Sequence, residues 1–168
     1  GQQALMSPVV VSYFAAPLKV ISCPPGQELA DTGHCHVCPL GSAGLGGYED
    51  CKLCNPGSYQ SLEGQMYCTA CPAGTFAPSS GAQTCDPCLA GQSTQDKAGL
   101  KQCEACQSGT AAPVNGAERC TLCSRGDFSE IAGATKCEKC EGGQTTSDLG
   151  SVNRTMCVCR PGEYLSIG

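Results

Sequence analysis

The sequence predicts a small disulfide-rich fold, mostly irregular with short β-hairpins, arranged as an elongated linear array of cystine-pinned repeats of about 17 residues. Seven Cys-x-x-Cys pairs follow one another at intervals of 16, 17, 17, 18, 17 and 17 residues. With 17 cysteines, no Trp and 5% aromatic residues in 168, covalent staples must replace a conventional core. The pairs are Cys35/Cys38, Cys51/Cys54, Cys68/Cys71, Cys85/Cys88, Cys103/Cys106, Cys120/Cys123 and Cys137/Cys140, preceded by Cys23 and followed by Cys157 and Cys159.

Two glycines mark each interval. The first lies three residues after the opening cysteine: Gly26, Gly41, Gly57, Gly74, Gly91, Gly109, Gly126, Gly143 and Gly162. The second lies four residues before the closing cysteine: Gly47, Gly64, Gly81, Gly99, Gly116 and Gly133, with Asp31 and Asn153 in the first and last intervals. Gly, Asn and Asp tolerate positive φ, so we expect a left-handed turn at this second position. Each interval is thus predicted to form two short extended arms joined by a turn, contacting only neighbouring units.

Two pairing schemes fit the cysteine spacing. The more economical one joins the cysteine that ends one pair to the cysteine that starts the next, and each closed loop of roughly 15 residues contributes about 3 kcal/mol in the chain-entropy model. Interlocked one-to-three and two-to-four pairing is the alternative. The sequential scheme defines units 1 to 8: Cys23–Cys35, Cys38–Cys51, Cys54–Cys68, Cys71–Cys85, Cys88–Cys103, Cys106–Cys120, Cys123–Cys137 and Cys140–Cys157.

The chain divides into three segments. Residues 1–22 contain no cysteine and hold two apolar, β-branched stretches, 8–14 and 18–22. They predict a β-strand segment from the end of a preceding domain, or alternatively an amphipathic terminal arm. Residues 23–158 hold about eight tandem repeats. Cys159 has no partner in the sequential scheme, and it begins a sequence like those that begin the other units. Residues 159–168 are therefore predicted to start a further repeat.

The repeat motifs resemble a known family. Cys54-Asn-Pro-Gly-Ser-Tyr59 and Cys71-Pro-Ala-Gly-Thr-Phe76, each followed by Gly-x-x-x-Cys-x-x-Cys, are similar to ephrin-receptor-type cysteine-rich repeats, relatives of growth-factor-receptor, tumour necrosis factor receptor and EGF-like modules. The resemblance covers residues 23–168 and implies an extracellular, disulfide-laddered rod. Units with Ala43, Ser93, Ala111 or Thr145 at the usual aromatic position are expected to pack less against their neighbours.

Several other functions fit the sequence poorly. In a zinc array the spacing between cysteine pairs would alternate within and between sites, whereas the spacing here is uniform. A redox-active Cys-x-x-Cys pair needs a reactive thiolate on a compact scaffold. His34 and His36 flank Cys35 in a polar loop that predicts no metal site. We expect no enzyme activity and no cofactor, because no catalytic constellation or phosphate-binding loop occurs. The net charge of −5 without a basic run disfavours nucleic acid, and no apolar stretch is long enough to span a membrane.

Two short motifs remain. Arg125-Gly126-Asp127 is a tripeptide that integrins bind. The repeat requires a glycine at position 126 in any case, so only Arg125 and Asp127 need to occur by chance to complete the motif. Asn153-Arg-Thr155 is an N-glycosylation sequon. We predict that Asn153 is glycosylated if the protein passes through a eukaryotic secretory pathway.

The functional prediction is an extracellular structural spacer within a larger cell-surface, matrix or filament protein. Its expected partners are other protein domains or copies of the same protein. The alternative is a ligand-binding cysteine-rich ectodomain of a cell-surface receptor, which would require unit-specific apolar or charged patches on exposed loops. The loops between the glycines are mostly small and polar, and this favours the spacer.

Overall fold

The computed structural model describes residues 22–160 and 162, so the strands predicted within residues 1–22 lie outside the described part. The fold there consists of eight two-stranded antiparallel hairpins and one 3-10 helix, Arg154–Met156. In chain order the strands are β1 Gln27–Leu29, β2 Cys35–Val37, β3 Ser42–Ala43, β4 Lys52–Leu53, β5 Ser58–Tyr59, β6 Thr69–Ala70, β7 Thr75–Phe76, β8 Asp86–Pro87, β9 Gln92–Ser93, β10 Glu104–Ala105, β11 Thr110–Ala111, β12 Thr121–Leu122, β13 Asp127–Phe128, β14 Glu138–Lys139, β15 Thr145–Thr146 and β16 Cys157–Val158.

Each hairpin is built on the same base turn. In unit 4 the Thr75 N–H donates to the Pro72 carbonyl at 3.1 Å, and Gly74 has φ of 80°. A positive φ at the third residue is what type II turns require, and it explains the first glycine of every unit. The turn leads into β7, which pairs with β8 through Thr75 opposite Pro87 and Phe76 opposite Asp86. The two residues of a Cys-x-x-Cys linker thereby become the second strand of the hairpin.

The interior is a stack of half-cystines and small side chains. The cysteines that open units 2 to 7 are at most 1% exposed. The residue three positions after the first glycine is also buried in several units. These residues are Ala77, Thr94, Ala112, Ser129 and Thr146. The closing cysteines are half-buried. Because the buried side chains are small, the cystines supply most of the cohesion that a larger apolar core supplies elsewhere.

Burial at the position that is aromatic in some units does not follow the aromatic residues, and the expectation that units without one pack less against their neighbours stays a prediction. Ala43, Ser93 and Ala111 are 8%, 0% and 5% exposed, whereas Tyr59 and Thr145 are half-buried. Phe128, which is aromatic, is 4% exposed at the same position of unit 7. Side-chain size alone therefore does not decide burial there.

The predicted fold class is confirmed: the described part of the chain is disulfide-rich, nearly free of helix, and repeats a short hairpin about every 17 residues. Within the described ranges the only helix has three residues, too few to cross a bilayer.

Candidate functional site

The structure carries a ladder of eight disulfides along the array. Their Cα–Cα separations are 5.4–5.8 Å, in the usual range for cystines. Cys159 is unpaired and half-exposed. The bonded pairs are Cys23–Cys35, Cys38–Cys51, Cys54–Cys68, Cys71–Cys85, Cys88–Cys103, Cys106–Cys120, Cys123–Cys137 and Cys140–Cys157.

Main-chain hydrogen bonds join each unit to the next. The Gly57 N–H of unit 3 donates to the Ala77 carbonyl of unit 4 at 2.8 Å. The second glycine of unit 4, Gly81, donates its N–H to the carbonyl of Cys54, which opens unit 3, also at 2.8 Å. Equivalent bonds from the second glycine recur along the array, ending with Gly150 to Cys123 at 2.8 Å. The backbone therefore provides a coupling between hairpins that recurs from unit to unit.

The hairpin tips also reach past the adjacent unit. A side-chain carbon built on Gly74 of unit 4 would lie 2.3 Å from the carbonyl oxygen of Gly116 in unit 6. The expectation that units contact only their neighbours is therefore wrong, because the backbone of one unit touches that of the unit two positions away. The first glycine leaves the room for this approach. The same relation joins Gly26 to Gly64, Gly41 to Gly81, Gly57 to Gly99, Gly91 to Gly133, and Gly109 to Gly150.

Two buried threonine hydroxyls strengthen the coupling. Thr94 Oγ1 accepts the Gly74 N–H of unit 4 at 2.8 Å and donates to the Glu118 carbonyl of unit 6 at 3.3 Å. Thr146 Oγ1 accepts the Gly126 N–H at 3.0 Å. Sequence reasoning missed both residues. Their position three residues after the first glycine, filled in the other units by Leu, Gly, Gln, Ala or Ser, is the signal that would have found them.

The left-handed turn assigned to Asp31 and Asn153 is wrong. In unit 1 the positive φ belongs to Gly33 at 77°, and Asp31 does not share it. In unit 8 it belongs to Gly150 at 72°, while Asn153 is extended with φ of −154°. At the other six second-glycine positions φ lies between 68° and 79°, as predicted.

The register explains this correction. The tip glycine of units 1 and 8 lies seven residues after the first glycine, as in most units. Its distance to the closing cysteine differs, being two residues in unit 1, from Gly33 to Cys35, and seven in unit 8, from Gly150 to Cys157. The additional residues of unit 8 follow the turn, where the 3-10 helix Arg154–Met156 accommodates them.

The integrin-type tripeptide forms the base turn of unit 7. The Asp127 N–H donates to the Ser124 carbonyl at 2.9 Å, with Arg125 and Gly126 between them. Arg125 is exposed, whereas Gly126 and Asp127 are half-buried. Asp127 lies in β13 opposite Lys139, so the motif occupies the base of a hairpin and not its tip.

The sequon lies at an accessible corner of unit 8. Asn153 is half-buried, and its neighbours Arg154 and Thr155 are exposed. The Thr155 hydroxyl donates to Asn153 Oδ1, and the Arg154 N–H donates to Glu130 Oε1 at 2.9 Å. His34 and His36, in unit 1 and the linker after it, are both exposed. Within residues 22–160 no three His, Cys, Asp or Glu side chains lie close enough together to hold a metal ion.

Large exposed apolar side chains occur in most units of the described array, and the two most exposed tyrosines lie in the loops of units 2 and 3. Leu45 and Tyr48 are 55% and 63% exposed, and Leu62 and Tyr67 are 61% and 67% exposed. Shallow clefts also lie between hairpins, one of about 270 Å³ beside Leu122. These features give the array a surface that varies along its length although its backbone pattern does not.

The comparisons with known proteins agree with this architecture. The family described as tyrosine-protein kinase ephrin type A/B receptor-like matches three overlapping or consecutive stretches, residues 42–88, 61–98 and 109–157. Together these stretches cover most of the hairpins and cystines of units 2 to 8. No curated protein matches the chain.

Proposed function

The chain belongs to the ephrin type A/B receptor-like cysteine-rich family, and on this premise we propose that the segment is an extracellular spacer that sets a distance within a larger surface, matrix or filament protein. Repeats of this family are typical of non-enzymatic extracellular receptor domains, and the eight disulfides agree with an oxidising compartment. The kinase in the family's description refers to other proteins, and we propose no catalytic activity for this segment.

The observation that carries the spacer proposal is the constant main-chain coupling between units. Gly64, Gly81, Gly99, Gly116, Gly133 and Gly150 each donate an N–H to the carbonyl of the preceding unit's opening cysteine at 2.6–2.8 Å. Such coupling makes each added unit repeat the same geometry, so length grows in fixed steps. A ninth unit would extend it in the same way, and we propose that Cys159 opens one, since Gly162 has the left-handed φ, 89°, of a first glycine.

A receptor ectodomain that binds a protein ligand is the second candidate. It is favoured by the exposed Leu45, Tyr48, Leu62 and Tyr67 in two consecutive units, because exposed apolar groups on loops are common at protein interfaces. In this alternative, units 2 and 3 bind the ligand and the remaining units position them.

Two changes in the full-length protein separate these candidates. Deleting residues 71–105 removes units 4 and 5 and joins Ala70 to Cys106, which preserves a Cys-x-x-Cys linker. Fluorescence energy transfer between labels on the flanking regions should then show a separation shortened by about two units, while changing Tyr48, Leu62 and Tyr67 to Ser should leave it unaltered. A separation that does not respond to the deletion contradicts the spacer. Loss of protein binding at the cell surface in the triple variant alone favours the receptor.

We also propose that Asn153 carries an N-linked glycan. Its sequon lies in the longest cystine loop, of sequence separation 17, beside exposed residues that leave access to the amide. A glycan there would cover one side of unit 8 without touching the inter-unit bonds of Gly150.

A further inference from the structure

The sequential cystines create a short covalent path from one end of the array to the other. Across each bond the Cα atoms lie only 5.4–5.8 Å apart, whereas the hairpin between them has a sequence separation of 12–17 residues. The closing cysteine of one unit is separated from the opening cysteine of the next by two residues. A pull on the two ends therefore passes through cystines and linkers and bypasses every hairpin loop.

The geometry sets a maximum length. A Cys-x-x-Cys linker spans at most about 11 Å, so a cystine and its linker extend to roughly 16 Å per unit. The same 17 residues without the cystine would extend to roughly 60 Å. From Cys23 to Cys157, the intact ladder is limited to about 120 Å and the fully reduced chain to about 470 Å.

We infer that the array is a tether with a covalent limit on its extension, able to transmit tension between the regions that it separates without lengthening beyond that limit. This rests on, and deepens, the proposed spacer function. Under tension, the hydrogen bonds from hairpin tips to the preceding opening cysteines are the contacts that separate, since they are non-covalent. Their loss rearranges the units but releases no hairpin loop, because each loop is closed by its own disulfide.

Single-molecule force spectroscopy tests the limit directly. The chain is held by handles attached through peptide tags, so that no cysteine is used for attachment. The oxidised chain should stretch to the contour length of the ladder plus its flanking residues, with no step that releases a loop. In dithiothreitol, where each cystine gains two electrons and two protons as the dithiol closes to a cyclic disulfide, the contour length should rise by roughly 350 Å.

Matched variants assign the increments to single loops. Replacing Cys71 and Cys85 together by Ser should lengthen the oxidised chain by about 43 Å, and replacing Cys140 and Cys157 should lengthen it by about 54 Å, because their separations are 14 and 17 residues. Cys159→Ser is the control and should add nothing. A fully stretched contour length does not depend on whether the altered unit refolds, so the comparison stands even if a variant is partly unfolded.

An oxidised chain that extends by hundreds of ångströms, or a double variant without its loop-sized increment, overturns the inference. Either result leaves the spacer proposal intact, because that proposal concerns the separation at zero load measured by energy transfer. Conversely, a failed length change on deletion of residues 71–105 would reject the spacer and leave the covalent limit measurable.

Discussion

The close approach between units two positions apart can be tested by adding a single methyl group. Gly74 and Gly143 are both first glycines, with φ of 80° and 74°. A Cβ on Gly74 would lie 2.3 Å from the Gly116 carbonyl oxygen, whereas a Cβ on Gly143 meets nothing within 4 Å. Replacing either glycine by Ala therefore imposes the same backbone strain, but only Gly74→Ala also forces two units apart.

The magnitudes follow from these two contributions. An Ala in the left-handed region costs about 1 kcal/mol, which we expect for Gly143→Ala. Gly74→Ala should cost roughly 2–4 kcal/mol, because inserting a methyl into filled space adds about 1–3 kcal/mol. The obstructing atom is a backbone oxygen, which cannot rotate away as a flexible side chain can. Asn tolerates the left-handed region, so Gly143→Asn should be nearly neutral while Gly74→Asn remains destabilising.

Amide hydrogen exchange measures the effect unit by unit, which suits a repeat array because its units can open separately. In Gly74→Ala the Gly116 amide, which donates to the Cys88 carbonyl at 2.7 Å, should lose protection along with the rest of unit 6. In Gly143→Ala, the loss of exchange protection should be confined to residues 140–158. Equal destabilisation by the two Ala substitutions, or an unchanged unit 6 in Gly74→Ala, would refute the contact between alternate units.

Three further results are expected. Non-reducing digestion and mass spectrometry should recover Cys71 joined to Cys85, and a peptide joining Cys68 to Cys85 would reject the sequential ladder. A chelator should leave circular dichroism and protease resistance unchanged while a reductant abolishes both, because little apolar burial remains to hold a reduced chain; stoichiometric zinc in the purified protein would contradict this. Expression in a eukaryotic secretory host should add a glycan that peptide N-glycosidase removes and that Thr155→Ala prevents, and a wild-type mass that peptide N-glycosidase leaves unchanged would reject glycosylation of Asn153.

Much of the repeat could be predicted from sequence because local chemistry sets it. A glycine three residues after each opening cysteine marks a base turn that needs positive φ, and Gly74 occupies that turn as expected. The arms follow because the chain must return within about 15 residues to place Cys85 beside Cys71. Composition alone already required that cystines take the place of a large apolar core.

The relations between units were decided only by the tertiary structure. Nothing in the spacing showed that the Gly116 carbonyl lies against Gly74, because the two are separated by more than a whole unit in sequence. Asn153 was placed at the left-handed turn by counting back from the closing cysteine, whereas the turn falls at Gly150, which donates to Cys123. Thr94 is polar and looks like a loop residue, yet its hydroxyl is buried between units 4 and 6.

The difference has a physical origin. Turns and disulfide loops are closed by residues near one another in the chain, so their requirements appear as a fixed spacing of Gly and Cys. The packing of hairpins depends on where backbone carbonyls and amides of distant residues meet, and every residue type carries these groups. Spacing therefore determined the repeat and its cystine-pinned hairpin, while the three-dimensional stacking determined which glycines must remain without a side chain and how far one unit reaches along the array.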